Sequence, residues 1–357
     1  MLGEGRMVYK PDIDQVLERC KAYWEQEIID RCCVAIPVGS PMQLPKELGV
    51  TYDEYYYDLE VLIKRWETYI AATYYGGDAM PGILPYFGTG GHAIYFGGEV
   101  DCRPDTIWIH PSIENWDDVP DFSPNNLDLK RHEEIIKGLV EYAKEKCFVT
   151  LTDNCGVMDA LANLRGSQNL LMDLIDYPDE VKKMTTKIAT VLKDTTLQHA
   201  ALVRENNKGG SVHQWMHLWS EGLVHQLQCD FSVMVSPEMF NEFILPEIES
   251  TCQWIEKSIY HLDGQEQIVF LDSLLSVKDL KAIQWVSVAG QPDVSQFIPV
   301  LQRIQNAGKN LVLMPRACEV EKLMNSLSSR GLQMVVQGVS TREEADELLN
   351  CVKKWTR

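Results

Sequence analysis

The chain is short of positive charge. It has 33 lysines and arginines against 52 aspartates and glutamates, a formal net charge of −19. Such a surface repels a phosphate backbone or an anionic bilayer, so no nucleic acid and no membrane is expected as a partner. Apolar runs are also lacking: none approaches the ~18 residues that span a bilayer. The opening "MLGEGRMVYKPDIDQ" carries no apolar signal segment. Ten cysteines are present but no C-x-x-C pair, and Cys32 and Cys33 are adjacent. That scatter excludes a disulfide framework and points to buried, reduced thiols in a cytoplasmic protein. No strand-like segment leads into G-x-G-x-x-G or a Walker glycine loop, which removes the main signature of a doubly wound nucleotide-binding sheet. There is no low-complexity linker and no internal repeat.

The chain has 357 residues, 45% of them hydrophobic, enough for one large α/β core. The C-terminal third is a succession of strand–helix units. "SIYHLDG", "AIQWVSVAG", "NLVLMP" and "LQMVVQG" are short apolar runs ending in polar turns, each followed by a helical period, with Gly308 and Gly331 just past helix ends. Successive strand–helix units require a parallel sheet, because each return crossover needs a helix. Upstream, "CVAIPVG" and "FVTLTDN" are strand-like and "LKRHEEIIKGLVEYAKEKC" is an amphipathic helix. "SPEMFNEFILPEIESTCQWIEKS" starts with a Ser236 cap and Pro237 at the first helical position, and Pro246 should kink it. About eight strands in all predict a single (β/α)8 TIM barrel over 33–357, with an N-terminal helical extension over 1–32. The stretch 78–116 is rich in glycine, proline and aromatics. It is expected either as part of a lid over the barrel mouth or as a surface excursion with a small hairpin.

In such a barrel the chemistry gathers where strands end. Reading those ends in order gives Asp78, Asp153 with Asn154, "HQWMHLW", Cys229 with Asp230, His261 with Asp263, Gln291, Arg316 with Cys318, and Gln337. His261 and Asp263 are two apart and share a face of their strand. Imidazole and carboxylate both suit zinc, with Cys229 and Cys318 the thiols able to complete a shell. The other reading is a hydrogen-bonded pair that merely closes the strand. If "HQWMHLW" is extended, His213, Trp215, His217 and Trp219 share one face and make a flat wall for a ligand; the alternative is a helical turn or ordinary core. Without a metal, Cys229 beside Asp230 is an inert packed thiol.

The order of these motifs resembles the uroporphyrinogen decarboxylase superfamily, which includes cobalamin-dependent methyltransferases that pass methyl groups to coenzyme M or tetrahydrofolate. The resemblance rests on "YYGGDAMP" around Asp78, "ALANLRG" at 160–166, "CDFSVMVSPEMFNEFILPEIE" at 229–249, "YHLDG" at 260–264 and the terminal strand–helix series. It implies a (β/α)8 barrel with its site at the strand C-termini. The decarboxylases hold their substrate's carboxylates with an arginine-bearing loop after the first strand. Here "CVAIPVGSPMQLPKELG" has no arginine, so a porphyrinogen lacks its cations. The methyltransferases bind zinc through His-x-Cys and a later cysteine. Here His261 matches, Asp263 stands in place of the cysteine, and "VVQGVST" after the last strand has none.

These readings lead to a methyltransferase that moves a methyl group between a corrinoid, or a small methylated compound, and a thiol or folate acceptor. Asp78, His261 and Asp263 are the expected catalytic residues. Trp215, His217, Asp230, Gln291 and Gln337 are expected to bind substrate, and His261, Asp263, Cys229 and Cys318 to hold zinc. No D-x-H-x-x-G sequence occurs, so any corrinoid is expected on a separate carrier protein. Two alternatives stay open. One is a metal-independent decarboxylase or lyase using Asp78 and His261 for proton transfer; the other is a barrel that binds a ligand without turnover.

Overall fold

The computed structural model describes residues 7–154, 156–213 and 215–357. The strands, in chain order, are β1 (Cys33–Val38), β2 (Tyr74–Gly77), β3 (Gly82–Ile83), β4 (Glu99–Cys102), β5 (Ile107–His110), β6 (Phe148–Val149), β7 (Ser211–His213), β8 (Leu218–Ser220), β9 (Val224–Leu227), β10 (Lys257–Asp263), β11 (Ala282–Val286), β12 (Asn310–Leu313) and β13 (Leu332–Val335). Seven of them form one sheet in the order β2-β1-β13-β12-β11-β10-β9. All its neighbours are parallel except β2, which runs antiparallel along β1. A separate ladder joins β3 and β6, also in parallel. The expected parallel α/β architecture is therefore present, as six parallel strands in one piece and two in another.

The gap beside β6 is filled by a side chain. The Asn207 amide accepts from the Val149 N–H at 3.1 Å and donates to the Val149 carbonyl at 2.7 Å, fully buried. It supplies what a neighbouring strand would have supplied, so no backbone polar group is orphaned there. A hairpin of β7 and β8 lies close by, with Ser211 paired to Ser220 and His213 to Leu218.

The strands divide the core into two. Tyr260, Leu262, Ile283 and Leu311 pack with the surrounding helices in the larger cluster, while Ile259, Ala282, Val312, Cys33, Val224 and Phe148 face the other way. That second cluster is completed by Met216 and Trp219 of the hairpin and by the helix Ile13–Trp24. The helix buries Ile13, Val16, Leu17, Cys20 and Tyr23, the i, i+3, i+4 spacing of a single face. It crosses the starts of the strands: Asn310 at the first residue of β12 donates to the Tyr23 carbonyl, and Trp24 donates to the Trp219 carbonyl. The N-terminal helix thus shares a core with the strands.

The helix after Ser236 shows what Pro246 does. Ser236 caps it through the Met239 N–H, and the residues Phe240–Ile244 just before Pro246 form a π-turn. A proline has no N–H to donate and its ring crowds the preceding turn, so the helix widens there. The segment 78–116 contributes to the interior as well as the surface. The 3-10 turn Gly91–Phe96 is wholly buried, and β4 and β5 form the small hairpin. Phe87 stacks on His132 at 3.7 Å between centroids.

Six histidines are buried and held neutral. Burial pushes His132 and His213 down to about 3, and His92, His199, His217 and His225 down to about 4. Each is lost as a stabilising factor when pH falls from the unfolded value of about 6.5 through the folded one, because only the unfolded chain takes the proton. Asp153, Asp159 and Glu247 are raised by burial to about 6, 7 and 8. Their contribution is lost as pH rises from about 4 through those values. Urea midpoints measured across this range should therefore climb from pH 4 to about 6.5, where the histidine effect ends. They should fall gently above it, and His199→Leu should flatten the acid limb.

Candidate functional site

Strand β10 ends as its alternation dictates. Ile259 lies in the core beneath, and His261 and Asp263 follow on the same side toward the C-terminal end. On the next strand Gln284 sits opposite His261, and its Oε1 lies 2.7 Å from His261 Nδ1. Gln284 Nε2 is turned toward Met314 Sδ at 3.4 Å. With the amide so oriented, Oε1 accepts from Nδ1–H and the neutral ring keeps its lone pair on Nε2. That nitrogen is 3.7 Å from Asp263 Oδ1, outside direct hydrogen-bond reach.

A second row runs along β9. Gln226 and Gln228 are buried. Gln226 Nε2 donates to Asp153 Oδ1 at 2.7 Å and to Gln228 Oε1 at 3.0 Å, and Gln228 Nε2 donates to Asp230 Oδ2 at 3.2 Å. His213 Nε2 meets Gln226 Oε1 at 3.1 Å. Trp215 packs edge-on against both imidazoles, 4.8 Å from His213 and 5.5 Å from His261 between centroids. The site is therefore an imidazole and an indole ringed by Asp153, Asp230 and Asp263, with amides between. Burial raises Asp153 to about 6, with Asp230 adding and His261 opposing. Burial also raises Asp230, with Asp263 adding. Carboxylates this close suppress one another's ionisation unless a positive group joins them.

Asp230 is fixed from behind. Asp159, near the start of the helix Val157–Arg165, accepts from the Asp230 N–H at 3.0 Å and the Phe231 N–H at 2.8 Å. Beside Asp230 opens a cleft of about 410 Å³, walled by Trp108 of β5 and by Phe231 and Met234. The hairpin of 78–116 thus forms one side of it. The glutamine at 291 works on the rim: its Oε1 accepts from the Gln265 N–H, and its Nε2 donates to Glu266 at 2.6 Å.

Several expected site residues lie elsewhere. Asp78 is not at the strand C-termini. Its N–H bonds the Val34 carbonyl at the start of β1, because β2 runs down β1 and delivers it there. The fully buried carboxylate is paired with Arg31, with Arg19 at 3.1 Å and with the Val34 N–H at 2.8 Å. His217 also leaves the site. The hairpin turns at this residue, with φ +50°, so the alternation of "HQWMHLW" breaks. Its Nδ1 accepts from the Met80 N–H, while His213 and Trp215 stay beside His261. Gln337 is exposed and engaged through its backbone with Pro315 and Ala317.

The zinc set does not assemble. Cys229 follows Gln228 on the opposite side of the strand, in the larger core with Tyr260, and burial with Asp159 and Glu247 nearby raises its thiol. Cys318 is exposed in the turn Ala317–Glu319. Among the described residues no three histidine, cysteine or acidic side chains are grouped to hold a metal ion. The described residues do not fit zinc: even a catalytic ion needs three protein ligands, and of the four expected only His261 and Asp263 lie together.

Gln226, Gln228 and Gln284 are not among the residues expected from the sequence. "HQLQCD" places Gln226, Gln228 and Asp230 at alternate positions, and "AIQWV" sets Gln284 between apolar neighbours. A polar residue in a buried strand was the available signal.

No family model matches the chain, and no curated protein matches it. Among solved structures it is similar to a methyltransferase from Methanosarcina mazei, with a TM-score of 0.61 and 12% identity over 95% of this chain and 98% of that one. At that identity the likeness is one of fold. Among the described residues no helix is long and apolar enough to cross a membrane.

Removing the Asp78 carboxylate strands Arg31 in the interior. Asp78→Ala should lose ~3–5 kcal/mol of stability in urea unfolding. Gln337→Ala, at an exposed side chain, should stay within about 0.5 kcal/mol.

Proposed function

We propose that the chain is a methyltransferase with its site at the C-terminal ends of eight parallel strands arranged as a (β/α)8 barrel. The methyl group moves between a small methylated compound, or a corrinoid carried by a partner protein, and a thiol or folate acceptor. One observation carries the reading: Gln284 holds Nδ1 of His261, so that Nε2 presents a lone pair to the carboxylate-lined opening. The motifs quoted from the sequence and a full-length structural neighbour bearing the name methyltransferase support it.

His261 then acts as the general base. As the acceptor's sulfur pair bonds to the methyl carbon, its proton passes to Nε2, and the pair that held the methyl group leaves with the donor. Asp263, 3.7 Å from Nε2, favours the imidazolium that forms. Trp215 limits how the ring can turn. No step runs through zinc. The lyase reading loses its proton-transfer pair, since Asp78 sits at the start of β1 and His261 near the end of β10.

The test is to mix the protein with methylcobalamin, or with small methylated donors, and a panel of thiols and folates, following the corrin spectrum and the methylated product. Turnover should fall by about 10²-fold to 10⁴-fold in His261→Ala, the range of a lost general base. A smaller loss is expected in Asp263→Asn. No product with any donor and acceptor pair would overturn the proposal.

A further inference from the structure

The charge around the site has an unmatched sign. Asp153, Asp230 and Asp263 accept hydrogen bonds from amides or face His261, and among the described residues none is paired with a lysine or arginine. The cleft that opens beside Asp230 repeats the pattern: its charged wall residues are Asp159 and Asp230, and the rest of the lining is apolar or neutral, with the exposed ring of Trp108 at its edge. A second observation comes from the neighbouring side chains. His213 is only 8 % exposed and lines a hollow with Asp153 and Trp215, yet its Nδ1 has no hydrogen-bond partner among the described residues.

From this geometry we infer that the site takes a methylated organic cation, an ammonium or sulfonium, as its methyl donor. The inference rests on the methyl-transfer reading and supplies its substrate class. Carboxylates neutralise the positive centre, indole rings accept its methyl groups against their π faces, and among the described residues no third protein ligand is arranged to make a metal ion the better occupant. An acceptor or donor bearing a sulfonate or several carboxylates would meet like charge. The chemistry balances without another reactant. The thiol sulfur forms the bond to the methyl carbon, the C–N or C–S pair returns to the onium atom, a neutral amine or thioether leaves, and the proton goes to His261 Nε2. Positive charge leaves the donor as the bond breaks and reappears on His261 as it takes the proton, so the carboxylates serve first the bound donor and then the imidazolium that forms.

Calorimetric titration separates this inference from the reaction itself, because it needs no turnover. Choline and its uncharged isostere 3,3-dimethylbutan-1-ol are titrated into the full chain, with 2-mercaptoethanesulfonate as the anionic comparison. Choline should bind about tenfold or more tightly than the alcohol, and Asp230→Asn should remove most of that difference. Trp108→Leu, at a side chain 61 % exposed, should weaken choline without unfolding the protein and serves if Asp230→Asn is unstable. Equal affinity for choline and the alcohol, or tighter binding of the sulfonate, would overturn the inference. So would one Zn²⁺ bound per chain that excludes choline. Cation binding without methyl transfer in the corrin and product assays would sink the reaction and leave the binding class standing; transfer from neutral donors alone would do the reverse.

Discussion

One hydrogen bond between neighbouring strands organises the site. Gln284 on β11 and His261 on β10 are brought opposite each other by the parallel register, and the 2.7 Å contact between them decides which imidazole nitrogen faces the opening. Met314, just past the end of β12, fixes the other end of the amide. Three adjacent strands therefore set the orientation of one ring, and the loops only surround it. This is the rigid support that proton transfer needs, since the base must sit where the proton leaves.

The same strands carry polar groups on a face that is elsewhere apolar. One step beneath His261, Ile259 and Ala282 join the core shared with the hairpin and the N-terminal helix. Gln226 enters level with Ile259 and Gln284 level with His261, and Gln228 follows along the same row. Amides suit that position because they donate to carboxylates without adding charge, so the acidic character of the opening survives. Asp78, by contrast, is neutralised by Arg31 and Arg19 at the structural end of the strands.

The sequence showed the C-terminal strands, the parallel sheet and the shared side of His261 and Asp263, because each follows from a local period of two or from punctuation by glycine and proline. Position along the strand direction was harder. Asp78 reads like a strand end, but β2 runs antiparallel, and nothing in "YYGGDAMP" announces the direction of travel. "HQWMHLW" has a flawless alternation that a single positive φ at His217 undoes. Cys229 adjoins Asp230 in sequence, yet a strand sends neighbours to opposite sides, and the thiol ends among apolar side chains. Long-range placement decided all three, and long-range placement leaves no mark within a short window.

Asn207 gives the wall an unusual seam. Everywhere along the main sheet, adjacent strands are held by several backbone bonds at once, whereas at β6 two bonds from one amide complete the edge. A ladder yields only by cooperative loss; an amide lets go by rotating. The hollow that holds Asp153, His213 and Trp215 lies beside this seam, next to Thr150. Any loosening of the β6 edge would begin there, and solvent admitted by it would reach Asp153 and His213 first.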